Sequence, residues 1–299
     1  MNTSKNRPLW NDLPASVRGD IEQLIGGPVV HARSCPGGFS PGFASRLTRA
    51  DGRRVFVKAM HADTWPWEAA QHRTEALVAA ALPAAVPAPQ FLGMLDDDHW
   101  TVLAFEDING TEPPQPWDHT GLDRVAAAVA QLAQAVTPSP IALPRDHPRL
   151  GGWADVARDQ PSLAQLPAHS AWAADNMSLL LELEEQGILA AHGDSLVHFD
   201  LYPHNILLTP ETVVFVDWPH ARLGAPIVDL VMVLSSAAAD GIDPEPALRS
   251  HAAPQSSSKQ RSTRSWPLMP ASCSAVRWHR RLLGWNRSPR PNFASASAR

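Results

Sequence analysis

The chain has 299 residues, 44% of them hydrophobic, and a formal net charge of −5, so it can bury a sizeable core in one large or two smaller domains. Nine Lys or Arg and no acid lie from His251 to the end, leaving a net of −14 on the first 250 residues. That charge speaks against nucleic-acid binding by the front portion. No apolar run is long enough for a membrane span, the opening MNTSKNRPLW lacks a signal-peptide pattern, and the two distant cysteines, Cys35 and Cys273, argue against a disulfide framework. A cytoplasmic protein without a membrane partner is expected.

Val29 to Met60 reads as consecutive antiparallel strands, VVHARS, FASRLTR and RRVFVKAM, with turns at Pro36-Gly37-Gly38 and Ala50-Asp51-Gly52. The pattern then becomes helical from Trp67 to Leu82, with Asp63 or Thr64 as a cap and Pro66 in the first turn. PAPQFLGMLDDDHW and TVLAFEDI read as two further strands joined by an acidic turn. GTEPPQPW reads as a Pro-rich linker. Beyond it, LDRVAAAVAQLAQAV, AWAADNMSLLLELEEQGILAAH and DLVMVLSSAAA have helical composition. The short β segments ILL and VVFV interrupt them. The expected division is a β-rich lobe over 1–110, a helical lobe over 111–250 and an atypical tail over 251–299.

The segment LVHFDLYPHNILLTPETVVFVDW carries Asp200, Asn205 and Asp217. Alone, each would be read as a turn or strand-end residue. Together they bracket a loop at Pro203-His204 and a hairpin with Thr209-Pro210-Glu211 at its tip, which brings Asp217 back to Asn205. Converging oxygen ligands suit Mg²⁺, with phosphate oxygens and water completing its shell. A carboxylate there can also accept a hydroxyl proton during phosphoryl transfer. The histidines nearby lack the helical spacing of a zinc hydrolase.

HFDLYPHN followed by VDW resembles the catalytic loop and metal-binding aspartate of the aminoglycoside phosphotransferase and choline kinase-like family. The resemblance covers about Val29 to Ala239. It implies an α+β, two-lobed protein-kinase-like fold, with an antiparallel sheet in the N-lobe and a mainly helical C-lobe. It implies Asp200 as catalytic base, Asn205 and Asp217 as Mg²⁺ ligands, and His198 as a structural member of the loop. Lys58 would meet the phosphates and pair with a helix glutamate, Glu75 in preference to Glu68. Ser40, in the turn PGGFSPGF, would lie over the phosphates. Phe105 and Asp107, in AFEDING, would stand where strand and hinge meet the base of ATP (or GTP). The family often has glycine at the position of Phe199. His192-Gly193-Asp194 copies the family tripeptide, yet five positions after Asp194 stands Phe199 rather than asparagine.

The activity implied is transfer of a nucleotide's γ-phosphoryl group to the hydroxyl of a small molecule, aminoglycoside-type or a related metabolite. The alternative is a weak or inactive nucleotide-binding relative. From His251 on, ten serines and nine basic residues in 49 positions admit two readings, a disordered basic arm or a segment translated out of frame. We prefer the second, because a slipped frame turns Ala- and Leu-rich helices of GC-rich genes into Ser-, Arg- and Pro-rich text.

Overall fold

Alternating apolar residues build β1 (Val29–Ser34), β2 (Phe43–Arg49), β3 (Arg54–His61), β4 (Phe91–Asp96) and β5 (Trp100–Glu106). The computed structural model describes residues 7–35, 41–143 and 152–251, and within it these strands form one antiparallel sheet in the order β1-β2-β3-β5-β4. The first three strands and the turn at Ala50-Asp51-Gly52 fall where the alternation puts them.

Period-two alternation gives the sheet two different faces. Phe43, Leu47, Val55, Val57, Ala59, Val102 and Ala104 pack together with Leu13, Val17, Ile21 and Ile25. The last three belong to α1 (Ala15–Ile25), an amphipathic helix that the strand-centred sequence reading passes over. Phe56, Leu103 and Phe105 face the other way, toward α2 (Pro66–Ala81) and its Ala76 and Ala79. Pro66 occupies the first turn of α2 as expected. The expected cap does not form: Trp65 is the cap residue, and Asp63 pairs with His99 at 2.7 Å instead.

The Pro-rich stretch after β5 is tied down rather than a free linker. Thr111 and Leu208 exchange backbone bonds of 3.0 and 2.7 Å. The Trp117 indole donates to Ser236 Oγ at 2.8 Å in the interior. Ser236 lies on α8 (Ile227–Ala239), which packs with α3 (His119–Ala135) around a core that includes Leu122, Val125, Val129, Leu230 and Val233. Two small ribbons complete this region. β6 (Ser195–Val197) pairs with β9 (Arg222–Gly224), and β7 (Ile206–Leu208) pairs with β8 (Val213–Phe215) as the predicted hairpin.

Chain contacts separate a smaller unit, residues 152–188, from a larger one drawn from 7–143 and 189–251. The smaller unit holds α4 (Trp153–Arg158), α5 (Gln160–His169), α6 (Ala171–Asp175) and most of α7 (Met177–Ala190). Leu166, Ala173 and Leu180 form its core. Glu184, buried on α7, accepts from the backbone N–H groups of Gly152, Trp153 and Ala154 and so caps α4. It is therefore no solvated acid available to a cationic ligand, whereas Glu182 and Glu185 are exposed. The helix expected over AWAADNMSLLL is two helices, broken at Asn176. The tail after His251 lies outside the described residues.

Candidate active site

Because Val55, Val57 and Ala59 of β3 face α1, alternation turns Lys58 toward α2. Its ammonium donates to both Glu75 oxygens at 2.8 Å and to Asp217 Oδ1 at 2.6 Å. Three donors meet three acceptors. Glu75 is buried on α2, and its Oε1 also lies 3.4 Å from the backbone nitrogen of Trp218. The ammonium sits 5.9 Å from the Phe105 ring centroid.

Burial lowers the Lys58 pKa, but the carboxylates of Asp217 and Glu75 more than reverse this and hold it above its ordinary value. Desolvation pushes the Asp217 carboxyl up, and the Lys58 charge overrides it, leaving it at about 2. Burial raises the Glu75 carboxyl against the opposing pull of Lys58. Lys58 takes Oδ1 of Asp217, yet 41% of that side chain stays exposed.

The loop after β6 is held from several sides. Asp229 Oδ2 accepts from His198 N at 2.8 Å, and its Oδ1 accepts from Phe199 N at 2.9 Å. Asp229 lies in the first turn of α8 but is not its cap, a place taken by Pro226. Burial pushes its carboxyl up to about 6 against these two bonds. His198 is fully buried, and burial lowers its pKa to about 4, so it is neutral at pH 7. The Asp200 N–H points to His198 Nδ1 at 3.3 Å, which leaves the ring proton on Nε2, 2.9 Å from the Val216 carbonyl. Asn205 Nδ2 donates to the Asp200 carbonyl at 2.8 Å and to its Oδ2 at 3.0 Å. The Asn205 carbonyl accepts from Val216 N at 3.0 Å, the residue before Asp217. One hydrogen-bonded circuit thus joins Asp200, Asn205 and the approach to Asp217.

Two residues of this circuit have left-handed backbones, Phe199 at φ 66° and Asp217 at φ 69°. A glycine adopts that conformation freely, whereas a side chain costs about 1–2 kcal/mol. The backbone therefore accounts for the glycine that the sequence pattern favours at 199. The copied tripeptide at 192–194 has a different reason. A Cβ on Gly193 would fall 2.4 Å from the Gly224 carbonyl, so this glycine permits close packing between β6 and β9.

Of the expected site residues, Lys58, Glu75 and Asp217 meet directly, and Asp200 and Asn205 bond to one another. Glu68 stands in the first turn of α2 with no part in the ion pair. Phe105 is a core residue of a central strand, its ring 5.4 Å from that of Phe91. The Asp107 carboxylate is held by Arg46 at 2.6 Å and approached by Arg54 at 3.4 Å, so only its backbone is left for a ligand. Ser40 lies outside the described residues. Two residues escape the sequence reading. His72 is buried one helical turn before Glu75, a spacing that would have flagged it. Arg7 gives no local signal at all.

A five-stranded antiparallel lobe, a mainly helical lobe, and a strand lysine paired with a helix glutamate define the protein-kinase-like fold. The phosphotransferase enzyme family (APH) matches residues 31–266, and the chain belongs to this family. Choline kinase LicA from Streptococcus pneumoniae superposes with a TM-score of 0.55, at 14% identity, over 90% of this chain and 87% of its own. An aminoglycoside phosphotransferase from Alicyclobacillus acidocaldarius subsp. acidocaldarius DSM 446 gives 0.49, at 17% identity, over 75% and 73%. Macrolide 2'-phosphotransferase MphH from Brachybacterium faecium gives 0.43, at 18%, over 80% and 87%. At 14% identity the likeness to choline kinase LicA is one of fold. No curated protein matches the sequence. Among the described residues no helix is long and apolar enough to cross a membrane.

Proposed function

We propose that this phosphotransferase-family protein transfers the γ-phosphoryl group of ATP (or GTP) to a hydroxyl of a small molecule, aminoglycoside-type or a related metabolite, in the cytoplasm. The observation that carries the reading is the Lys58 ammonium shared between Glu75 and Asp217. Glu75 fixes the ammonium on the α2 face of the sheet, where it can turn from Asp217 to phosphate oxygens. Among the described residues no group of three or more His, Cys, Asp or Glu could hold a metal. Asn205 and Asp217 are a smaller oxygen set, which suits Mg²⁺ because it keeps waters and takes phosphate oxygens as its other ligands. Bound there, Mg²⁺ would neutralise charge that develops on the phosphates.

Asp200 is the proposed base. Asn205 orients its Oδ2, and Asp229 fixes the backbone on its N-terminal side. The carboxylate would align the acceptor hydroxyl and take its proton as the oxygen attacks the γ-phosphorus, while the bridging oxygen leaves with the nucleoside diphosphate. A screen of hydroxyl compounds for Mg²⁺-dependent phosphoryl transfer tests this. Turnover of amine or carboxylate acceptors alone would defeat the hydroxyl assignment.

A further inference from the structure

The segment ahead of α1 sends a cation toward the Lys58 cluster. Arg7 Nη1 donates to the Gly42 carbonyl at 3.3 Å. Gly42 directly precedes β2 and is pressed onto β3, where an added Cβ would fall 2.6 Å from both the Ala59 carbonyl and Met60 Cε. In the same register Ala44 lies opposite Lys58, so the Arg7 anchor is two residues from the neighbour of Lys58. The half-buried guanidinium acts electrostatically on Asp217 and Cys35, and on His72 as well. Asp217 and His72 belong to the segment after β8 and to α2, which hold the ammonium, and Cys35 follows β1 and donates its N–H to the carbonyl of Ala44, the residue opposite Lys58.

The three N–H donors of Lys58 are already engaged by two carboxylates. A nucleoside triphosphate brings several negative charges, more than one shared ammonium can answer. A guanidinium offers five donors in a planar fork that matches phosphate oxygens. Arg7 also lies before residue 31, where the family match begins. We propose that Arg7 is a phosphate-binding residue for the donor nucleotide, contributed by the N-terminal segment; this rests on reading the Lys58 cluster as a nucleotide site.

The test is calorimetric titration of wild type, Arg7→Ala and Arg7→Lys with ATP or GTP, whichever the wild type binds tighter, and with the matching nucleoside. Melting temperatures are recorded alongside. Losing one charge-assisted contact should weaken triphosphate binding by about tenfold or more in Arg7→Ala. Nucleoside affinity should stay unchanged, and Arg7→Lys should fall between because it keeps the charge without the fork. An unchanged triphosphate affinity in Arg7→Ala, or an equal loss for triphosphate and nucleoside, would overturn the proposal and leave the nucleotide site standing. A wild type that binds neither ligand would overturn the nucleotide reading and this proposal with it. Should Arg7→Ala fail to fold, Arg7→Lys decides alone: triphosphate affinity equal to wild type overturns the proposal.

Discussion

Lys58 Nζ stands 2.6 Å from Asp217 and 2.8 Å from each oxygen of Glu75, so one ammonium ties a strand, a helix and the segment after the β7–β8 hairpin. Replacing it by methionine would leave a buried glutamate beside a second carboxylate with no counter-charge. Breaking a buried pair from one side costs about 3–5 kcal/mol, much of it the stranded charge. Lys58→Met should therefore unfold at lower urea by about that amount. Glu75→Gln added to it should recover part of the loss. Equal stability of Lys58→Met and wild type would contradict the shared ion pair.

Asp229 offers two oxygens to two backbone N–H groups. An asparagine has one acceptor oxygen, so Asp229→Asn must strand one N–H and face it with its own amide. A buried group left unpaired costs about 1–3 kcal/mol. Asp229 holds the N–H groups of His198 and Phe199, the backbone that leads into Asp200. Transfer in Asp229→Asn should show a fall in kcat with little change in nucleotide KM. A variant with wild-type stability and kcat would show that the loop is positioned without Asp229.

Phe199 sets two effects against each other. Its left-handed backbone costs about 1–2 kcal/mol, while truncating a buried Phe costs about 3–5 kcal/mol. Its residual exposure is 7%, so the burial effect should win. Phe199→Gly should lose net stability, by about 1–4 kcal/mol in chemical denaturation. A more stable glycine variant would mean that strain exceeds packing at this position.

Buried groups of opposite sign shape the acid response. His72 and His198 have pKa values lowered to about 4 by burial, so their neutral state contributes stability above pH 6.5 that is lost as the pH falls toward 4. Asp229 works in the opposite sense. Its carboxyl is raised to about 6, so the folded state gains a proton before the unfolded one as the pH falls from 6 to 4. Each of these three shifts is worth about 3 kcal/mol, and the Glu75 carboxyl, also raised by burial, acts in the same sense as Asp229. The histidine contribution is read from urea midpoints of wild type and His72→Gln across this range, where His72 should make the wild-type midpoint fall more steeply, or rise less, as the pH is lowered. His72→Gln should lose about 3 kcal/mol less than wild type between pH 7 and 4, and an identical pH dependence would show that His72 does not titrate on unfolding.

The strands were legible because β2 and β3 alternate over a one-sided core, and the β7–β8 hairpin because apolar triplets flank Thr209-Pro210-Glu211. α1 was missed because its apolar positions, Val17, Ile21 and Ile25, are sparse among polar neighbours. α4 and α5 escape because they are short and are set by caps at Glu184 and Asp159 rather than by composition, whereas α6 lies inside the predicted helix and only the break at Asn176 is unforeseen. In the site, the spacing of Asp200, Asn205 and Asp217 was readable because one hairpin carries it. The pairing of Lys58 with a helix glutamate needs the family resemblance, and Glu75 is preferred to Glu68 because an acid in the first turn of α2 complements the helix dipole. The Asp229 contacts span 30 and 31 positions, and the Arg7 contact spans 35. Local pattern does not reveal such pairings.

Asp200 carries the central claim, and single-residue removal in a transfer assay tests it most directly. With an acceptor from the hydroxyl screen, phosphoryl transfer by Asp200→Ala should fall by about 10²–10⁴, while nucleotide affinity, measured separately, stays near wild type. Normal turnover by Asp200→Ala would contradict the account.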